Sequence, residues 1–447
     1  MCRIVCACAV AATLMFAAVP AGAQSSRPSR PYRGLFASGT ADAGQVLSVS
    51  GAFAGGWDTD VLADARGGNR VGGSGWSGGL GSLSGGLSYS LQQDELALSA
   101  SLGTSVRYYP SFAERFLHGE SGSFSLSTRL GARVGLALSA SASYRPYAIS
   151  SLFPDSVPSP ISEPAVPDLE TTIDWDPYAS YTADAGLSYR LSNRTSLSAG
   201  VNYLTAERSG YPSLDTTSPD FTRSNFSRYG ARASLSHGVA RGLALRLGYG
   251  QNVARYENDR EIVNHVIDAG VDYNRALSIS RRTTLSFSTG TAITETRSVR
   301  RFMLVGAANL LHEIGRSWHA HVGYGRQVHI HEAWLDPVMS DALSAGVGGL
   351  LTRRLQFNAG VRGALGKIGV HSDAPGFDAV FGQSSLSFAV TRFMSLGLNY
   401  SYYRHQFDEG AALPLLVRSS MDRHSIRASV SLWAPLVTLA RRSDASR

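Results

Sequence analysis

The chain has three cysteines, one lysine and no long hydrophobic run after its first twenty residues. Cys2, Cys6 and Cys8 all lie at the very start, so the remainder has no thiol to pair. That excludes a small disulfide-stapled secreted module. Lys367 is the only lysine among 41 basic residues, and arginine supplies the rest of a formal charge of +7. No later segment could span a bilayer as a helix. Continuous Val/Ile/Leu strands of the kind that fill a large soluble core are also missing.

The start of the chain is different. Arg3 precedes an apolar run from Ile4 to Val19, and Ala21-Gly22-Ala23 follows. This order reads as a secretory signal peptide over residues 1–23, with cleavage before Gln24. The expected organisation beyond it is a periplasmic segment at 24–44, a transmembrane β-barrel at 45–434 and a periplasmic tail at 435–447.

Between those limits one pattern recurs. In "RTSLSAGVNYLTAER", Leu197, Ala199, Val201 and Tyr203 fall on one face, and Ser196, Ser198, Gly200 and Asn202 on the other. "GLALRLGYG" and "RLQFNAGVRGALG" repeat the alternation with Arg246 and Arg362 on the polar side. A period of two is the signature of strands with one apolar and one polar face. Connections alternate between short ones, such as "SNRT", "SRRT", "TRRL" and "TRFM", and longer polar ones rich in Pro and Gly. The fold class is therefore all-β: an antiparallel up-and-down transmembrane barrel of about 18 strands, or sixteen if a Gly-rich stretch is not a strand. Closure is physically required, because lipid offers no partner to an unpaired strand edge.

Tyrosines fall at two heights. Tyr144, Tyr203, Tyr249, Tyr324 and Tyr400 lie toward the long connections, and Tyr89, Tyr189 and Tyr273 before short ones. They are expected to form two aromatic girdles.

With this architecture the chain resembles the bacterial outer-membrane β-barrels, and among them the porin-like members with sixteen to eighteen strands. The resemblance is architectural and rests on no motif. Ile426, Ala428, Val430, Leu432 and Trp433 look like the C-terminal strand of such barrels, although "APLVTLARRSDASR" follows it. The resemblance implies a Gram-negative outer-membrane location. Its expected partners are outer-membrane lipid and lipopolysaccharide, barrel-assembly machinery and periplasmic chaperones. It implies no cofactor and no nucleic-acid partner.

If the apolar set faces lipid, the alternate set lines the lumen. That set includes Arg107, Arg129, Arg133, Arg145, Arg190, Arg228, Arg232, Arg246, Arg362 and Arg427, against Asp184, Asp268 and Asp272. Permanently charged guanidiniums in a pore raise the local anion concentration. The functional expectation is a porin-like channel for small, preferentially anionic solutes. The alternative is a conduit exporting an acidic polysaccharide with a periplasmic partner. A plainer reading of the arginines, as charges that keep the lumen wet and pair with loop acids, stays open. The connection near 148–177 carries Asp155, Glu163, Asp168, Glu170, Asp174 and Asp176. In general porins the third long loop folds inward, so the resemblance implies a constriction loop here; an ordinary solvated surface loop is the alternative.

Chemical motifs are sparse. No nucleotide-binding or nucleophile-elbow context is present. A barrel hydrolase or an adhesive surface barrel remains a lesser alternative, and His237, His265 or His405 would have to serve a dispersed triad. The segment "SWHAHVGYGRQVHIHE" places His319, His321, His329 and His331 on one strand face. The two pairs are too far apart for one ion, so pore lining is the expectation and weak metal binding the alternative.

Overall fold

A computed structural model describes residues 35–38, 40, 43–60, 77–110, 116–145, 153, 178–208, 225–256, 261–277, 280–296, 299–330, 337–369, 374–408 and 419–440. They form eighteen strands. The first nine are β1 (Ala43–Asp58), β2 (Gly78–Gln92), β3 (Leu96–Tyr108), β4 (Phe116–Leu130), β5 (Val134–Arg145), β6 (Tyr178–Arg190), β7 (Thr195–Arg208), β8 (Phe226–Ala240) and β9 (Leu243–Tyr256). The remaining nine are β10 (Glu261–Leu277), β11 (Ser280–Thr296), β12 (Val299–Ile314), β13 (Trp318–His329), β14 (Val338–Leu350), β15 (Leu355–Ile368), β16 (Gly376–Ala389), β17 (Met394–Phe407) and β18 (Ser420–Ala440). Each pairs antiparallel with its sequence neighbours, and β1 pairs with both β2 and β18. The sheet is closed, so no edge strand is left over.

Alternation becomes inside and outside. Phe53, Leu83, Leu102, Val201, Leu247, Phe302, Leu304, Leu343 and Leu365 are large apolar side chains that remain exposed around the outer surface. In water this area would drive aggregation, whereas in lipid it is the solvated face. The inner face of β2–β8 carries many small hydroxyls. Across neighbouring strands Ser48 meets Ser88, Ser99 meets Ser125, Ser101 meets Ser123 and Ser198 meets Ser234, each at 2.7 Å.

The short connections have readable chemistry. In "SNRT", Ser192 Oγ accepts hydrogen bonds from the amides of Arg194 and Thr195. Thr352 does the same for the amides of Arg354 and Leu355 in "TRRL", and Thr391 for those of Phe393 and Met394 in "TRFM". Such hydroxyl turns compete well with extended backbone. Other short connections use Gly131, Gly242 and Gly315 at positive φ, where a Cβ would be strained. "SRRT" departs from this pattern. β11 already begins at Ser280, which pairs with Leu277, and a register shift separates that pair from Ala276↔Thr284. A bulge absorbs the residues that the turn would have used. The loop side is also less uniform than expected, since β11 ends at Thr296 and β12 starts at Val299.

At the C-terminal end the sheet goes beyond the expected boundary at 434. β18 continues to Ala440 and keeps pairing with β1 down to Ala43. Leu436, Val437 and Leu439 are exposed there, so the first residues of the expected tail are barrel wall. The β1–β18 junction is locked by Asp58 and Arg423, both buried. Arg423 Nη2 lies 2.8 Å from Asp58 Oδ2, and its Nε lies 3.0 Å from Oδ1. Two hydrogen bonds between planar groups make this the geometry in which a buried pair recovers its desolvation cost.

Candidate functional site

The lumen is the site, and two features enter it. The first is Phe153, which lies in the chain between β5 and β6. Phe153 is 3% exposed and packs with Phe377, Phe381 and Tyr403 of β16 and β17, nearly opposite its own strands in the ring. The Arg362 guanidinium lies 4.2 Å from the Phe153 ring centroid and 5.3 Å from that of Phe381. A cation held between two ring faces is a favourable desolvated contact. Phe153 therefore lies inside the barrel, against the wall across from its own strands. Asp155, Glu163, Asp168, Glu170, Asp174 and Asp176 lie outside the described residues.

The second feature is the top of β13. Its ladder with β12 ends at the pair Gly306↔Arg326, although β12 begins at Val299 and β13 runs to His329. Above that level, among the described residues, β13 pairs only with β14. Val328 and Met339 then pack on the inner-facing Ala292 of β11 and on Met303 and Val305 of β12. Ile330 reaches the inner face of β7–β10 and is buried among Ala206, Phe226, Ala254, Tyr256 and Ile262. Arg228 Nη1 donates to the Ile330 carbonyl at 3.1 Å. The hairpin end has left the wall and lies inside the barrel.

Beneath it is a cavity of about 530 Å³ whose polar lining includes Arg228, Arg232, Asp184, Asn252, Asn264 and Gln327. Asn202 and Asn252 lean over Gly230, where any Cβ would collide with their amide oxygens. Two guanidiniums against one carboxylate, surrounded by amides and hydroxyls, can hold a small anion or a hydroxylated solute.

The predicted arginines divide into groups. Arg107, Arg129, Arg145, Arg190, Arg228, Arg232 and Arg246 sit at inward strand positions. Arg246 pairs with Asp272 at 2.9 Å. Arg133 lies in the turn 131–133, at the rim and not on the lumen wall. Arg362 and Arg427 face inward but are buried, 7% and 4% exposed, with Phe153 on the first and Asp58 beside the second. They line packed protein, not open water. Asp184 also faces the lumen, and the Asp268 side chain is outside the described set.

The girdle tyrosines Tyr89, Tyr144, Tyr189, Tyr203, Tyr249, Tyr273, Tyr324 and Tyr400 share register faces with outward apolar residues. Toward the long connections they have polar neighbours that the sequence reading missed. The Tyr249 hydroxyl bonds His265 Nδ1 at 2.7 Å, Tyr400 bonds His424 Nδ1 at 2.8 Å, and Tyr324 donates to Asp341 at 2.6 Å. Tyr144 rests against His118 with ring centroids 5.3 Å apart. A polar residue two positions past the apolar run on the next strand was the available signal.

The histidines do not converge. His319 and His321 face the lumen, their rings lying over Gly348 and Gly346 of β14. The side chain of His329, and all of His331, lie outside the described residues. Among the described residues, no three His, Cys, Asp or Glu side chains are grouped to hold a metal. His237 bonds Thr195 Oγ1, His265 is on the outer face, and His405 is wedged between Tyr403 and Phe407. These three therefore do not share a site.

No family model and no curated protein matches the chain. Solved structures similar to it include Pseudomonas aeruginosa OpdQ, at 12% identity over 88% of this chain and 98% of that one, with a TM-score of 0.44. Pseudomonas aeruginosa OccK2 (OpdF) in complex with glucuronate gives 11% identity, 91% and 100% coverage and a TM-score of 0.43. The alcaligin outer membrane receptor FauA from Bordetella pertussis gives 10%, 87%, 76% and 0.39. Likenesses this loose carry no solute from those proteins to this one.

Proposed function

We propose that the protein is a porin-like channel of the Gram-negative outer membrane that passes small solutes and prefers anions. The observation that carries this reading is the cavity beneath the β13 end, whose charged lining among the described residues is Arg228, Arg232 and one carboxylate, Asp184. The closed barrel and its apolar exterior support a membrane location, and the hydroxyl-bearing β2–β6 wall supports a hydrated path. Lipid and lipopolysaccharide surround the barrel in this reading, and the barrel-assembly machinery and periplasmic chaperones deliver it. Phe153 and Ile330 both occupy the barrel interior, which favours diffusion of small molecules over export of an acidic polysaccharide.

The test is the reversal potential of the channel in a planar bilayer under a KCl gradient. Anion selectivity is expected, and Arg232→Gln should lower the chloride-to-potassium permeability ratio roughly two- to threefold. Cation selectivity, or a ratio unmoved by the substitution, overturns the reading.

A further inference from the structure

The place where β13 leaves the wall has a consequence for ligand class. β12 from Val299 to Val305 is paired on its β11 side, but among the described residues its ladder on the other side starts only at Gly306. The wall therefore has a seam between the upper ends of β12 and β13. Its outer lip bears Phe302 and Leu304, 63% and 67% exposed. Its inner side is the cluster of Met303, Val305, Val328 and Met339. Here an apolar strip lies directly beside the polar lining of the cavity. Val328 belongs to this cluster and also lines the cavity that holds Arg228 and Arg232. Arg228 Nε is buried and has no hydrogen-bond partner among the described residues.

We infer that the seam and the cavity together form one binding site for an amphipathic anion. The acidic head lies on Arg228 and Arg232, and the tail runs along Met303, Val305 and Val328 toward the outer lip. Two of the four strip residues are methionines, whose unbranched thioethers re-pack around tails of different length. The inference rests on the anion-preferring reading for the head and adds the tail.

The experiment compares decanesulfonate with methanesulfonate, permanently charged probes with the same head, by titration calorimetry on the full chain in nanodiscs. Empty nanodiscs supply the partition blank. Decanesulfonate should bind about 100-fold more tightly, as burial of three to four methylenes requires. Met303→Gln, nearly isosteric and neutral, should cost about tenfold for decanesulfonate and nothing for methanesulfonate, while Met303→Leu keeps wild-type affinity. Retained heat-shifted gel mobility checks that each variant is folded. Equal binding of the two probes, or a Met303→Gln variant that keeps the full chain-length advantage, overturns the site. Failure of the anion reading is separately visible: decyltrimethylammonium would then match decanesulfonate while the chain-length effect persisted.

Discussion

Two walls of the same barrel solve the problem of an inward face in opposite ways. Along β2–β6 the inner face carries many small hydroxyls, bonded in cross-strand pairs and largely open to water. Along β14–β18 and the end of β1 the inner residues are buried: Ser344, Arg362, Ser385, Tyr403, His405, Arg423 and Asp58. The backbone is equivalent in both. The difference is what arrives from elsewhere in the chain, since Phe153 covers one part of the packed wall and the Asp58–Arg423 pair closes another. One wall is a solvent surface and the other is a protein core, although both alternate with the same period.

That contrast can be broken most sharply at the ion pair. Asp58→Ala leaves Arg423 buried without its carboxylate and should cost about 3–5 kcal/mol. The loss would appear as an earlier midpoint in urea unfolding followed by tryptophan fluorescence. A shift under 1 kcal/mol would mean that water reaches Arg423 and that the wall is not a core. Next in size is Phe153→Ala. Removing a buried ring should lower stability by about 3 kcal/mol and raise single-channel conductance, because the ring occupies the barrel interior beside Arg362. Unchanged conductance would show that the ring does not limit the path. The smallest effect belongs to the wet wall. Replacing Ser101 and Ser123 together with alanine removes both partners of one bond in a hydrated face and should shift stability by less than about 0.5 kcal/mol.

Individual residues show where the fold was legible. The eighteen strands, the inside–outside alternation and the outward tyrosines could be read because each follows from a period of two and needs only its own strand. The short turns at Ser192, Thr352 and Thr391 were legible for the same reason: the hydroxyl meets amides two and three residues away. Ser280 shows the limit, because an identical-looking segment became strand once a bulge elsewhere in the hairpin shifted the register. Leu436 and Leu439 were read as tail because they follow the aromatic Trp433, yet pairing with β1 carries β18 past it.

The candidate site was less legible. Arg228 and Arg232 were identified as lumenal from parity alone, and they do line the cavity. Arg362 and Arg427 have the same parity and line none of it, since their cover comes from residues far away in sequence. Asp58 and Arg423 are 365 positions apart and carry no local signal of partnership. The departure of β13 from β12 at Arg326 is also invisible locally, because Gln327, Val328 and His329 continue the alternation without a break.

The sequence by itself determined the closed sheet and which face of each strand meets lipid, since both are set by side-chain parity and by the backbone's need for partners. Only the tertiary structure decided which inward residues meet water. That depends on where residues such as Phe153 and Ile330 come to rest, a matter of packing between distant segments, which no periodicity encodes.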